Sequence, residues 1–243
     1  MAAGEGLEEE RTRGVSRRFF LWAAAVASSL TCIPRSVWPF FVREMGVRTV
    51  EEETFRFDSA SGSIRWTNGA VTPYRLTVDG LVEKPLTFSY KDLQALPSVF
   101  QTSDFHCVEG WSVKDIRWGG FRFEEVMRRV KPRTGVRYVV FHALGKTDSQ
   151  PSGLDHYVES LPVEELLDPK KECLLALSMD GKPLTHDHGA PLRVVSPYDL
   201  GYKGAKYVTR IEFSRAPQPG WWTLANPIYP VEAPVPADRL RKR

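Results

Sequence analysis

SDFHCVEGWSV, residues 103–113, places Cys107 between the end of a short alternating segment and the glycine at 110. Strand ends present side chains to clefts, so this cysteine stands where chemistry is usually done. A thiolate is a soft nucleophile and a soft metal ligand, and both uses need a site that favours the deprotonated form. The neighbours His106, Glu109 and Trp111 are more polar and aromatic than a packing thiol requires. The chain has three cysteines, too few for a framework of several bridges. Cys173 heads the apolar segment KKECLLALSM and reads as a buried small hydrophobe. In an oxidising compartment the two could pair. Taken by themselves, the residues favour packing or a Cys107–Cys173 disulfide over chemistry.

Outward from this stretch, the pattern is one of short strands broken by turn residues. YRLTVDG, 74–80, alternates apolar and polar residues and ends in an Asp-Gly turn. PLTFSYKDLQAL gives a strand and a short helix capped by Ser89, with Asp92 in its first turn. Gly119 and Gly120 are read as a turn, and FEEVMRRV, 123–130, as one amphipathic helix. RYVVFHA, LLALSMDG, PLRVVSPY and AKYVTRIEF are further strands. The expected fold is therefore α+β and mainly β, with short helices between strands. Residues 34–71, with acidic and Ser/Gly-rich patches, read as a connector. Residues 215–243 carry six prolines among Trp221, Trp222 and Tyr229. Such a segment cannot continue a central strand and is expected to lie extended over the body, ending in a solvated RLRKR.

Composition excludes some classes of function. Thirty-three basic against 30 acidic side chains leave a net charge of +3, so there is no basic face for nucleic acid. The first 33 residues are unlike the rest. Arg17 and Arg18 stand in SRRFFLW, followed by the uncharged run AAAVASSLTCI. This is the twin-arginine export pattern, and the run is short for a membrane span of about 20 residues. An A-x-A site at Ala25 and Ala27 falls early in the run, so the segment is either removed or kept as an N-terminal membrane anchor. This route carries folded proteins, often with a cofactor already inserted, and the expected location is the periplasm.

Two further clusters carry candidate chemistry. THDHG, 185–189, offers His186 and His188, but Pro183, Gly189 and Pro191 make it a turn and a zinc site would need more ligands. His188 is better used as a neutral hydrogen-bonding group near a bound molecule. From Arg193 to Lys206, Gly201 and Gly204 bracket a loop with Lys203 and Lys206, where backbone N–H groups and cations could cradle a phosphate. Each of these alone is weak, and a solvated turn explains the loop as well.

Together the pieces resemble a known family. TPYRLTVDGLVEKPLTFSYKDL (72–93), CVEGW (107–111), YVESLPVEELLDP (157–169) and DGKPLTHDHGAPLRVVSPYDLGYKGAKYVTRIEF (180–213) match, in order, the molybdopterin-binding domain of the sulfite oxidase class. Within that class the chain is most similar to the periplasmic methionine sulfoxide reductase catalytic subunits. The resemblance covers 72–214 and implies a sulfite oxidase-type fold of mixed sheets. It implies a molybdenum–molybdopterin cofactor, with Cys107 as the protein's ligand to the metal and Tyr157 facing the metal's exchangeable position. His188 and Arg193 are then pterin and phosphate contacts, and Gly204, Ala205 and Lys206 the anion loop; Cys173 has no matching role.

The implied activity is two-electron oxygen-atom transfer with a small oxo substrate. Electrons would pass to or from a separate partner, a haem protein or a quinone-linked membrane subunit. The chain departs from the sulfoxide reductases in having His188, as sulfite oxidases have histidine, where the reductases carry asparagine, and Ala143 where they carry threonine. It departs from sulfite oxidases in lacking an arginine directly after the cysteine, so a sulfoxide-reductase-like activity is expected first and sulfite oxidation second. The alternative from another class is an exported β-rich binding module held by the Cys107–Cys173 bridge.

Overall fold

A computed structural model describes residues 50, 51 and 53–240. The N-terminal export segment lies outside the described residues. The body is mainly β, and its strands fall into three sheets.

The first sheet is the antiparallel set β1 (Phe55–Asp58), β2 (Ser63–Trp66) and β3 (Val71–Pro73). It occupies residues read from sequence as connector. Phe55 and Ile64 are both buried in the main core, so this stretch folds with the body rather than leading to it. Its polar DSASGS run is the β1–β2 hairpin turn, closed by a Gly62 N–H to Asp58 carbonyl bond of 2.8 Å.

The second sheet runs β11 (Lys182–Pro183), β10 (Leu174–Met179), β7 (Ser112–Phe121), β6 (Val99–His106), with β12 (Arg193–Val195) also pairing with β10. Gly119 and Gly120 form no turn. They lie in β7 opposite Ser178 and Ala176 of β10, in an antiparallel pairing with a register shift. A Cβ on Gly120 would sit 2.8 Å from the Ala176 Cα, closer than β-carbons pack. The two glycines serve close strand approach rather than chain reversal.

The third sheet has the order β5 (Leu86–Ser89), β4 (Arg75–Gly80), β13 (Val208–Ser214), β8 (Tyr138–Ala143), β9 (Val158–Pro162). It is mixed: β4 and β13 pair in parallel, and the rest are antiparallel. The alternation seen in YRLTVDG puts Leu76 and Val78 inward. They join Val139, Phe141, Ile211 and Phe213 in the core. Burying such side chains stabilises by about 1.5–3 kcal/mol each, which outweighs the weak local preferences of these short strands.

The helices are short. α1 (Tyr90–Gln94) has the capping box expected of Ser89 and Asp92: Ser89 N–H donates to Asp92 Oδ2 (2.8 Å) and Asp92 N–H to Ser89 Oγ (3.2 Å). α2 (Glu124–Val130) buries Val126 and Val130 and begins beside Phe123, whose ring stacks on Phe213 with centroids 5.7 Å apart. α3 (Val163–Leu167) follows β9, and α4 (Trp221–Ala225) lies in the C-terminal extension. Beyond α4 the extension runs without regular structure, as its prolines require, and is pinned along the loop after β12. Leu200 N–H donates to Ala233 carbonyl and Val235 N–H to Tyr198 carbonyl, both at 2.8 Å. Ala233 and Val235 are buried there. No helix among the described residues is long and apolar enough to cross a membrane.

Candidate active site

Cys107 is the first residue after β6 and opens a five-residue turn into β7. Its N–H donates to the Trp111 carbonyl (2.9 Å), and the Gly110 N–H donates back to the Cys107 carbonyl (3.2 Å). Gly110 has φ +93°, a left-handed conformation that a glycine adopts without strain. At the foot of the turn His106 Nδ1 meets Ser112 Oγ at 2.7 Å. Cys107 is buried, and desolvation pushes its thiol above the usual range. Cys173 is buried elsewhere as a separate free thiol. Its Sγ donates to Ser196 Oγ (3.7 Å), and burial pushes it up to about 12. The Cys107–Cys173 disulfide of the binding-module alternative is therefore not formed.

A cavity of about 320 Å³ opens at Cys107. Tyr157, Arg193, Gly204 and Lys206 line it as well, so five of the seven expected site residues converge on one space. Ala205 is fully buried behind them, and its N–H donates to the Lys203 carbonyl (3.1 Å). His188 is outside the cavity lining. Its ring pairs with Thr185 Oγ1 (2.7 Å) and its carbonyl accepts from Arg193 Nη1 (3.2 Å), so it supports the arginine through its backbone. His186 packs between Phe55 and Tyr207, with centroids 5.2 and 4.9 Å away. THDHG is thus a structural turn here.

The cation loop divides in two. Lys203 does not serve the cavity: it is buried in an ion pair with Glu159 (2.5 Å) and donates to the carbonyls of Ser160 (2.9 Å) and Val231 (2.7 Å). Arg193, 5% exposed, has two main-chain carbonyls and the Trp118 ring as partners rather than a carboxylate. Desolvation pulls its guanidinium down to about 10. Lys206 donates to the Asp187 carbonyl (2.6 Å), and burial, with Arg193 nearby, pulls its ammonium down to about 8. Both shifts mark positive charge held in low-dielectric surroundings, which an anion would offset.

Sequence reasoning missed several lining residues. Val50 and Glu51 come from the supposed connector, and Trp222 and Tyr229 from the C-terminal extension. Burial pushes the Glu51 carboxyl up to about 7, towards its neutral form. Glu109 is on the exposed turn, where it accepts from Trp111 Nε1 (3.1 Å). The attraction of Lys206 works against the burial of Glu51, so the lining sets Arg193 and Lys206 beside one carboxyl of raised pKa. Tyr157 donates its hydroxyl to the Tyr202 carbonyl, and burial holds the phenol protonated far above its ordinary range.

These residues fit a molybdopterin. The cavity volume is that of a small-cofactor site, a soft sulfur stands at one wall, and two desolvated cations stand at another. A Cβ on Gly204 would lie 3.0 Å from the Val194 carbonyl and 3.4 Å from Arg193 Nη2, so a side chain there would press on both. The model for the oxidoreductase molybdopterin binding domain matches residues 64–222. The chain belongs to this family. It shares 34% identity over 152 residues with the uncharacterized oxidoreductase YuiH of Bacillus subtilis, covering 63% of this chain and 71% of that one. It shares 36% over 161 residues with the protein-methionine-sulfoxide reductase catalytic subunit MsrP of Ralstonia nicotianae, covering 64% of this chain. The chain spans about half (48%) of that reductase's length.

The sulfane dehydrogenase SoxCD of Paracoccus pantotrophus has the same fold over 59% of this chain and 39% of its own, with a TM-score of 0.51 at 23% identity. The expected sulfite oxidase-type fold is thus the observed one, and the family is one of molybdenum-dependent oxidoreductases. The matched range starts earlier than the expected 72 and takes in β2 and β3.

Proposed function

We propose that this chain is an exported molybdopterin-dependent oxidoreductase that removes oxygen from S=O or N=O groups by two-electron transfer. Its electrons come from a separate haem protein or quinone-linked membrane subunit. The observation that carries this is the convergence of Cys107 with Arg193, Gly204 and Lys206 on one cavity. When bound, the cofactor supplies the two-electron chemistry of oxygen transfer.

The residues of the chain do the rest. Cys107 would hold the metal as a thiolate, and because burial raises its affinity for the thiol proton, loading would depend on pH. Arg193 and Lys206 would hold the cofactor's phosphate, whose charge would offset their desolvation. Tyr157 keeps a neutral, protonated hydroxyl at the cavity wall, and orienting a substrate oxygen as a donor would take its one proton from the Tyr202 carbonyl. Phe105, Val108, Trp111, Trp222 and Tyr229 give the cavity aromatic and apolar walls that exclude water.

A sulfoxide suits this lining better than sulfite does. A sulfite dianion needs compensating charge in a desolvated site, and the arginine lining the cavity is already committed to the cofactor. The similarity to MsrP supports the same choice.

The test is a preparation from molybdenum-sufficient cells, assayed for metal and pterin and then for oxidation of a reduced dye with sulfoxides, N-oxides and sulfite. Cys107→Ala is expected to lose molybdenum and all oxo-substrate activity. Full activity in that variant would sink the assignment, and turnover with sulfite alone would reverse the choice of substrate. Export is checked separately by replacing Arg17 and Arg18 with lysine and following the protein's location.

A further inference from the structure

The C-terminal RLRKR read as a solvated end, but its first residue is tied to the cysteine turn. Arg239 Nη2 donates to the Trp111 carbonyl (2.7 Å), the Cys107 carbonyl (2.9 Å) and Ser112 Oγ (3.2 Å). One nitrogen with two hydrogens thus serves three acceptors on both arms of the β6–β7 turn. The turn's own backbone supplies two main-chain bonds across it, from Cys107 N–H to Trp111 carbonyl and from Gly110 N–H to Cys107 carbonyl, and the Val108 and Glu109 backbone also bonds to the Cys107 side chain. The Arg239 Nε is buried without a hydrogen-bond partner, so the side chain holds this position at a local cost that its other contacts must offset. Arg239 also lies beyond residue 222, where the match to the family model ends.

We propose that Arg239 is a positioning residue that clamps the Cys107 turn, so that the C-terminal extension sets the orientation and accessibility of the cysteine sulfur. The physics is that of a charge-assisted bridge. Hydrogen bonds from a guanidinium to carbonyls are stronger than neutral ones, and these tie the first residue of the turn to the last. The extension delivers the group because it is anchored just upstream, where Val235 N–H donates to the Tyr198 carbonyl and Ala233 and Val235 are buried. From that anchor Arg239 reaches the turn without lining the cavity, whereas Trp222 and Tyr229 of the same extension line the cavity beside Cys107. The functional meaning rests on Cys107 being the metal ligand; the clamp itself does not.

The test uses the full chain as wild type, Arg239→Gln and Arg239→Lys. In cofactor-free protein, the rate of Cys107 alkylation by iodoacetamide is followed by peptide mass spectrometry, with Cys173 as internal control. Arg239→Gln is expected to raise the Cys107 rate roughly tenfold through local opening of the turn, leaving Cys173 unreactive, while Arg239→Lys restores most of the protection. In loaded protein, Arg239→Gln is expected to keep its molybdenum but shift or broaden the Mo(V) paramagnetic resonance. Unchanged Cys107 alkylation and an unchanged resonance in Arg239→Gln would overturn the clamp. So would a parallel rise at Cys173 in both variants. Wild-type protein devoid of molybdenum would overturn the cofactor assignment instead, and the alkylation comparison would still decide the clamp.

Discussion

Replacing Lys203 by methionine tests how the anion loop and the C-terminal extension are held together. The Lys203 side chain is 3% exposed and that of Glu159 is 0% exposed. The change removes the ammonium and its three hydrogen bonds, to Glu159, the Ser160 carbonyl and the Val231 carbonyl. What remains is a buried carboxylate with one donor, the Ser160 N–H at 2.8 Å; its Oε2 has no hydrogen-bond partner even now. Breaking one side of such a pair costs about 3–5 kcal/mol. Protonation of Glu159 sets a ceiling on the electrostatic part. Neutralising a carboxyl of reference pKa ~4.3 costs about 3.7 kcal/mol at pH 7 and about 1 kcal/mol at pH 5. Burial already raises the Glu159 carboxyl against the pull of Lys203, so removing the ammonium raises it further.

A raised carboxyl pKa contributes stability below its unfolded value and loses it as pH climbs to the folded one. Lys203→Met should therefore lose about 4 kcal/mol at pH 7, and only about 1 kcal/mol at pH 5. Urea unfolding of cofactor-free protein at the two pH values measures this, and the Lys203→Met/Glu159→Gln double variant should recover much of the loss. A penalty below about 1 kcal/mol at pH 7, or one equal at both pH values, would refute the buried-pair argument.

Three other outcomes are expected. Arg193→Met should lose most of its molybdenum on purification while its cofactor-free melt stays within about 1 kcal/mol of wild type, because trading a desolvated cation for an apolar chain is often neutral. Glu51→Gln should flatten the pH dependence of stability: the wild-type carboxyl, raised to about 7, favours the folded state below about 4.5 and loses about 3 kcal/mol of that as pH rises through 7. Urea melts between pH 4.5 and 8 check it. Gly120→Ala should cost about 1–3 kcal/mol by thermal unfolding, since its β-carbon meets the backbone of β10.

Much of the fold was legible where burial follows the period-2 pattern along a strand, as it does in β4. Leu76 and Val78 announce β4, and Ser89 with Asp92 announces the start of α1. The same local reading failed at Gly119 and Gly120. A glycine pair signals either a turn or a close strand contact, and only the position of β10 decides which. Residues 55–73 misled for a related reason: their polar hairpin turns dominate the composition, while two buried side chains, Phe55 and Ile64, carry the packing.

At the site, Cys107, Arg193 and Lys206 were legible only through their resemblance to a family, because they are far apart in sequence and meet through tertiary contacts. Lys203 was misplaced since its partner Glu159 lies on β9, over 40 residues away. Arg239 had no signal at all. A cation in a basic tail looks the same whether it is solvated or bonded to three oxygens.

The parallel pairing of β4 with β13 bears on the order of events during synthesis. Arg210 of β13 aligns with Thr77 of β4, and its guanidinium grips Asp79, 131 residues away in sequence. Until β13 has been made, β4 and β5 can pair only with each other, and the β4 edge that β13 later fills stays open. The sulfur on the β6–β7 turn is made early, the cations at Arg193 and Lys206 much later, and Arg239 last of all. A ribosome therefore releases the cavity in sequence: first the ligand, then the walls, then the latch behind it. A chain stopped short of Arg239 would carry the Cys107 thiol without the guanidinium that bonds across its turn.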